Sequence, residues 1–143
     1  MYIFISLHFI MNKDKKKLNK RYVPDTLSAK QREKQIKSIK DKKDRPKLEG
    51  VKSRKSKYTV MAQKYFKGDT DKKNISKVIG VPKKALDEIV QRGEAAYYSS
   101  GSRPNVSAVQ WGIARMYSVL FGGNARKSDK DIEAKYGIPL LKN

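Results

Sequence analysis

One stretch holds most of this chain's means of building a core. Residues 95–123, AAYYSSGSRPNVSAVQWGIARMYSVLFGG, carry the only Trp, two adjacent tyrosines and a Gly-Ser-Arg-Pro turn. They read as two helices joined by a tight, basic, hydroxyl-rich elbow. Gly101 suits a left-handed helix C-cap, and Pro104 keeps the helix from restarting at once. Ser107 with Gln110 three residues on is a capping box. The helix that follows, about 108–121, brings Val109, Trp111, Ile113, Met116, Val119, Leu120 and Phe121. It is apolar on more than one face and is expected to be the central, most buried helix. Gly112 and Ala114 let neighbours approach it, and Gly122-Gly123 ends it.

Charge confines the rest of the core to the same half of the chain. Residues 11–60 carry 19 Lys and Arg against 6 Asp and Glu, whereas residues 61–143 carry 15 against 8. The first of these segments is too polar to bury much of itself and reads as a solvated basic arm. The second is long enough for a modest core. The 143-residue chain is therefore expected to be one all-α domain, at 57–143, behind an extended or partly helical basic arm at 11–56. A net charge of +20 opposes compaction unless a polyanion is near, which points to nucleic acid first and an anionic surface second.

The first ten residues, MYIFISLHFI, are apolar but too short to span a bilayer, which takes about 17–25 residues. They lack the basic flank and small-residue cleavage site of a secretory signal. Two readings stand: a dispensable tail from a start upstream of Met11, or a short anchor that docks on a partner or membrane. No transmembrane span is expected.

In the arm, Ser28 and Gln31 form a capping box for a helix of about 28–43 in which only Ile36 and Ile39 are apolar at helical spacing. Such a helix cannot bury a broad face; it lies on a partner or forms when its charge is neutralised. Pro46 ends it, and residues 46–57 read either as a linker or as a segment that tracks a phosphate backbone, with Arg54 and Lys55 in it.

Beyond the arm, Tyr58, Met61, Ala62, Tyr65 and Phe66 make one helical stripe. Ile75, Val78 and Ile79 then mark a short helix that stops at Gly80. Val81-Pro82 leads into another, whose buried face is Leu86, Ile89, Val90 and Gly93. Small Ser76, a turn glycine and three sealing apolar residues resemble a helix-turn-helix. Any helical hairpin with a glycine turn can share that pattern. Lys83 and Lys84 open the second helix, where a recognition helix meets DNA; Asp87 and Glu88 follow and would oppose phosphate. After the elbow and its helix, Arg126 and Lys127 lie in a basic loop. Ser128 is expected to cap a last helix, with Asp129 and Asp131 favourable at its start and Ile132 and Tyr136 facing inward. Gly137 closes that helix, and residues 138–141 are expected to fold back on the core.

The elbow is the sharpest functional candidate. Ser99, Ser100 and Ser102 supply hydroxyls, and Arg103 supplies a planar fork suited to phosphate. The alternative is a loop whose hydroxyls only cap helix ends. Arg115, four residues after Trp111, can stack on that ring, pair with an acid such as Glu94, or join the basic face. Tyr97 and Tyr98 could stack on unpaired bases, but helical neighbours cannot share a face, so one of them belongs to the core.

No cysteine and a single histidine, His8, exclude a Cys/His zinc site and a disulfide framework. No phosphate-binding loop, nucleophile elbow or paired-carboxylate motif occurs, so neither an enzyme nor a cofactor is expected.

Two blocks carry a resemblance. Residues 20–58 (KRYVPDTLSAKQREKQIKSIKDKKDRPKLEGVKSRKSKY) and 85–132 (ALDEIVQRGEAAYYSSGSRPNVSAVQWGIARMYSVLFGGNARKSDKDI) resemble the basic block and the YYSSGSRP…W…AR…GG block of an uncharacterised domain family encoded by large DNA viruses of algae and amoebae. The resemblance implies a viral protein, and carries over no activity and no residue roles.

The resulting expectation is a basic nucleic-acid-binding protein of low sequence specificity, acting by charge neutralisation. Duplex DNA is favoured and RNA is the alternative. The expected contacts are Arg54, Lys55, Lys83, Lys84, Ser99, Ser100, Ser102, Arg103, Arg126 and Lys127. The expected core includes Leu86, Ile89, Trp111, Ile113, Met116 and Leu120. The rival class is a minor virion protein whose arm threads between other virion subunits. Either places the chain in a virion or in the host nucleus or cytoplasm, not among secreted proteins.

Overall fold

A computed structural model describes residues 18–142. The apolar segment 1–10 and the first residues of the arm lie outside the described residues. Among those described there are seven helices and no strand: α1 (Ala29–Lys40), α2 (Lys57–Tyr65), α3 (Lys72–Ile79), α4 (Lys83–Ser99), α5 (Ala108–Leu120), α6 (Asn124–Ser128) and α7 (Lys130–Tyr136). No helix among them is long and apolar enough to cross a membrane.

The helix starts follow local chemistry. Both capping boxes form in full: the Ser28 hydroxyl accepts from the Gln31 amide while the Gln31 side chain accepts from the Ser28 amide, and Ser107 and Gln110 do the same for α5. α3 begins at Lys72 because Asp71 caps it, accepting from the Lys73 amide. Gly80, at φ +74°, ends α3 in the left-handed conformation, and α4 starts three residues later. The two form the expected helix-turn-helix-like hairpin.

α4 and α5 are antiparallel neighbours across the elbow and touch backbone to backbone. A Cβ on Gly93 would overlap the Gly112 Cα, and one on Gly112 would overlap the Val90 carbonyl. Around this crossing lies the main core. Leu86, Ile89, Met116, Val119 and Leu120 are fully buried, with Ala62 and Phe66 from the α2 end and Ile75 from α3. Ile113 packs on its edge. The C-terminal segment folds back as expected: Ile138 and Leu141 are buried, and the Leu141 amide donates to the Leu120 carbonyl at 2.8 Å.

Three features depart from expectation. Trp111 is half-buried and stands outside the main core; its ring meets Tyr22 edge to face at 5.7 Å. The basic loop after α5 is the short helix α6, and Asp129 rather than Ser128 stands between α6 and α7. Asp129 makes no side-chain cap, because its carboxylate is held elsewhere.

The third departure is the largest. Residues 18–56 are packed on the helical domain. They form a second, smaller core from Val23, Leu27, Ile39 and Leu48, with Tyr22, Ile36 and Val51 against it. α1 needs no broad apolar face, because two of its three buried residues are Gln35 and Ser38. The Gln35 Nε2 and the Ser38 hydroxyl donate to backbone carbonyls, which offsets part of the cost of burying them; Gln35 Oε1 is buried without a partner.

Candidate nucleic-acid interface

The elbow between α4 and α5 is the socket on which residues 18–56 dock. Gly101 has φ +109°, and the Tyr22 ring and Ile39 side chain close on it so tightly that a Cβ would lie 3.1–3.2 Å from them. Ser102 is fully buried; its hydroxyl donates to the Arg103 carbonyl, and its own carbonyl accepts from the Gln35 amide at 3.2 Å. The same Gln35 nitrogen donates to the Tyr22 carbonyl at 3.0 Å. Asn105, in the left-handed region at φ +57°, accepts from the Leu48 amide at 2.8 Å and donates to the Leu48 and Val51 carbonyls. Asparagine tolerates that conformation better than most residues.

The elbow's four candidate contacts therefore divide. Ser102 is turned inward. Ser99 and Ser100 are exposed at the end of α4. Arg103 is half-buried, and among the described residues its side chain has neither an ion-pair partner nor a hydrogen bond. Its charge is felt by the Tyr22 phenol, which burial pushes up and Arg103 partly pulls back.

Tyr97 and Tyr98 divide as the helical geometry requires. Tyr97 is buried, its hydroxyl accepting from the Arg45 amide at 2.7 Å. Tyr98 is exposed and donates to the Asp44 carboxylate at 2.7 Å.

Lys83 and Lys84 are exposed at the other end of α4, about 24 Å from the elbow at 1.5 Å per residue. The acids beside them are neutralised within the protein. Lys72 Nζ lies 2.7 Å and Lys83 Nζ 3.5 Å from the Asp87 carboxylate, and the Lys72 hydrogen bond holds that carboxyl below the usual range. The Tyr136 hydroxyl donates to Glu88 at 2.8 Å, with Lys135 at 3.4 Å, and depresses it likewise. Lys83 is thus partly engaged, whereas Lys84 has no ion-pair partner among the described residues.

Arg126 and Lys127 behave differently despite being adjacent. The Arg126 guanidinium donates to the Val119, Ile138 and Pro139 carbonyls and to Glu133, and its side chain is 17% exposed. It clamps the C-terminal segment to α5. Lys127 is exposed, as are Arg54 and Lys55 in the segment before α2.

Sequence reasoning allowed Arg115 an acid partner and named Glu94; the partner is Asp129, in a charged network that it did not foresee. Arg115 grips the fully buried Asp129 with two hydrogen bonds of 2.9 and 2.8 Å, and Arg92 reaches the same carboxylate at 3.2 Å. Arg92 also holds Asp131, whose carboxyl it keeps down at about 2. Both guanidiniums are pushed up by these hydrogen bonds. The spacing of Asp129 and Asp131 reads as helix-start charge, and nothing local points to Arg115.

No curated protein and no solved structure matches the chain. The model of a family of unknown function, DUF5824, matches residues 6–136, across both docked parts of the molecule, and the chain belongs to that family.

Proposed function

We propose that this protein binds nucleic acid through the phosphate backbone, with low sequence specificity. The observation that carries the reading is the imbalance left after ion pairing. Of the 30 Lys and Arg in residues 18–142, only seven pair with a carboxylate among the described residues: Arg32, Lys72, Lys83, Arg92, Arg115, Arg126 and Lys135. The remaining cations include Lys84, Arg103 and Lys127, together with Arg54 and Lys55. A folded surface this positive attracts polyanions and repels most proteins. The viral setting implied by the resemblance would make the ligand viral or host nucleic acid, in the particle or in the infected cell.

The rival reading, an arm threading between virion subunits, requires that arm to leave its own domain. The docking of residues 18–56 on the elbow favours nucleic-acid binding over it.

The test is the salt dependence of binding to a duplex. Counterion release predicts log K falling linearly with log salt, with a slope of about 0.9 per phosphate neutralised. The triple variant Lys84→Ala, Arg103→Ala, Lys127→Ala should flatten that slope by about 2–3. No binding near 50 mM salt, or a slope near zero, would sink the reading.

A further inference from the structure

A cavity of about 660 Å³ opens between the segment 44–53 and the first turn of α5. That is within the range of small-ligand sites, about 300–1,000 Å³. None of the sequence motifs pointed to it, because its two walls are about 60 residues apart in the chain and meet only through the docking of residues 18–56 on the elbow.

Its lining mixes two chemistries. Pro46, Val51, Val106 and Val109 are apolar, and Tyr98 lines it with them. Val109 is 54% exposed there although it opens the most apolar helix of the chain. Other lining groups favour an anion. Lys47 and Ser53 line it, and Arg54 and Lys55 follow directly. The amides of Ala108 and Val109, in the first turn of the 13-residue α5, have no acceptor among the described residues. Helix N-termini carry partial positive charge and attract phosphate.

Arg45 is the second, independent sign. It lines the cavity yet is only 8% exposed, and its Nε and Nη1 have no hydrogen-bond partner. It has no carboxylate partner among the described residues; its guanidinium lies 4.6 Å over the Tyr97 ring, and Nη2 donates to the Lys43 carbonyl. A buried cation without an ion-pair partner is costly. Asp44, the one carboxylate in the cavity, acts on Arg45 through its charge but makes no ion pair with it and accepts from the Tyr98 hydroxyl instead.

We propose that this cavity holds one unpaired nucleotide of a single strand, with its base on Val109 and Tyr98 and its phosphate towards Lys47, Arg45 and the start of α5. The proposal rests on the nucleic-acid reading above and adds a preference to it. A duplex keeps its base faces stacked inside and can lay only phosphates across the rim; a single strand can turn a base into an apolar slot.

The test compares two variants that add the same charge at exposed valines. Val109→Glu places it in the cavity mouth, where an acid in the first turn of a helix is compatible with folding. Val60→Glu places it on α2, at a residue 53% exposed. Binding of a single-stranded DNA of about 12 nucleotides, and of the matching duplex, is followed by fluorescence anisotropy at low salt. Val109→Glu should weaken the single strand about tenfold more than Val60→Glu does, the range of one lost base stack. The two variants should bind duplex alike. Equal effects of both variants on the single strand overturn the proposal and leave the backbone reading standing. So does inorganic phosphate alone displacing the strand from wild type but not from Val109→Glu, which would mark an anion site with no place for a base. Failure of both nucleic acids to bind overturns the proposal together with the reading it rests on.

Discussion

Arg45 is bound to Tyr97 three times: its amide donates to the tyrosine hydroxyl at 2.7 Å, its guanidinium lies 4.6 Å over the same ring, and Nη2 donates to the Tyr97 carbonyl at 3.4 Å. One side chain of α4 thus fixes both the backbone and the side chain of a residue 52 positions upstream. Tyr97→Phe keeps the ring and removes the acceptor, leaving a buried N–H without a partner. Such a loss destabilises by about 1–3 kcal/mol. Urea denaturation at neutral pH should show a lower midpoint with an unchanged slope; an unchanged midpoint would mean that water replaces the hydroxyl.

Asn105 makes the corresponding contact on the other side of the elbow, with three hydrogen bonds to the backbone of Leu48 and Val51. Asn105→Gly still permits φ +57° and removes all three. At about 0.5–1.5 kcal/mol per bond, the docking of residues 18–56 should weaken by about 1.5–4.5 kcal/mol. Limited trypsin digestion reads this directly. Cleavage between residues 42 and 55 should speed up at least several-fold, while the fragment from α2 onward persists. Global loss of resistance in both parts would show instead that the two cores unfold together.

These two contacts mark the boundary of what the sequence reveals. Ser28 with Gln31 and Ser107 with Gln110 announce their helices because capping is chemistry between residues three apart. Gly93 and Gly112 announce a close crossing because nothing larger fits between two touching helices. Gln35, Arg45, Tyr97 and Asn105 announce nothing. Their partners are 52–67 residues away and are mostly backbone groups, which leave no periodicity and no pattern of residue types. That is why a segment with net positive charge and two helical isoleucines reads as a solvated arm yet packs against the domain. The same blindness covers Arg115 and Asp129, and it misplaces Ser102 and Arg126 among the surface contacts. Local chemistry identifies a hydroxyl or a guanidinium as able to grip phosphate; only the tertiary structure says whether it is already engaged.

Asp129 and Asp131 share Arg92 but differ in burial, at 0% and 61% side-chain exposure. Asp129→Asn leaves Arg115 facing a neutral amide in a closed site and should destabilise by about 3–5 kcal/mol, as broken buried ion pairs do. Asp131→Asn should have a much smaller effect, and one that depends on pH. Arg92 keeps the Asp131 carboxyl at about 2 in the folded protein, against roughly 3.9 in an unfolded chain. Its contribution is therefore complete above the unfolded value and disappears as pH falls through about 2. Thermal melts of wild type and Asp131→Asn should differ by a constant amount from pH 5 to 7 and converge near pH 2. A difference that grows on acidification would contradict the pairing.

Arg126 and Lys127 are adjacent cations with separable roles. Arg126 closes four hydrogen bonds, three of them to carbonyls of α5 and the returning C-terminal segment, so its truncation leaves buried acceptors unpaired. Arg126→Ala should lower stability by about 2–4 kcal/mol and loosen Ile138 and Leu141, read as faster amide exchange at Leu141. Lys127 is exposed and has no ion-pair partner among the described residues, so Lys127→Ala should leave the melting temperature within a degree or so. If Lys127 touches a phosphate, the slope of log K against log salt should fall by about 0.9. For Arg126→Ala the slope should stay at its wild-type value once the protein is kept folded by low temperature. A salt slope reduced by Arg126→Ala but not by Lys127→Ala would mean that the clamp opens on binding and hands its guanidinium to the ligand, which would reverse the assignment of the two residues.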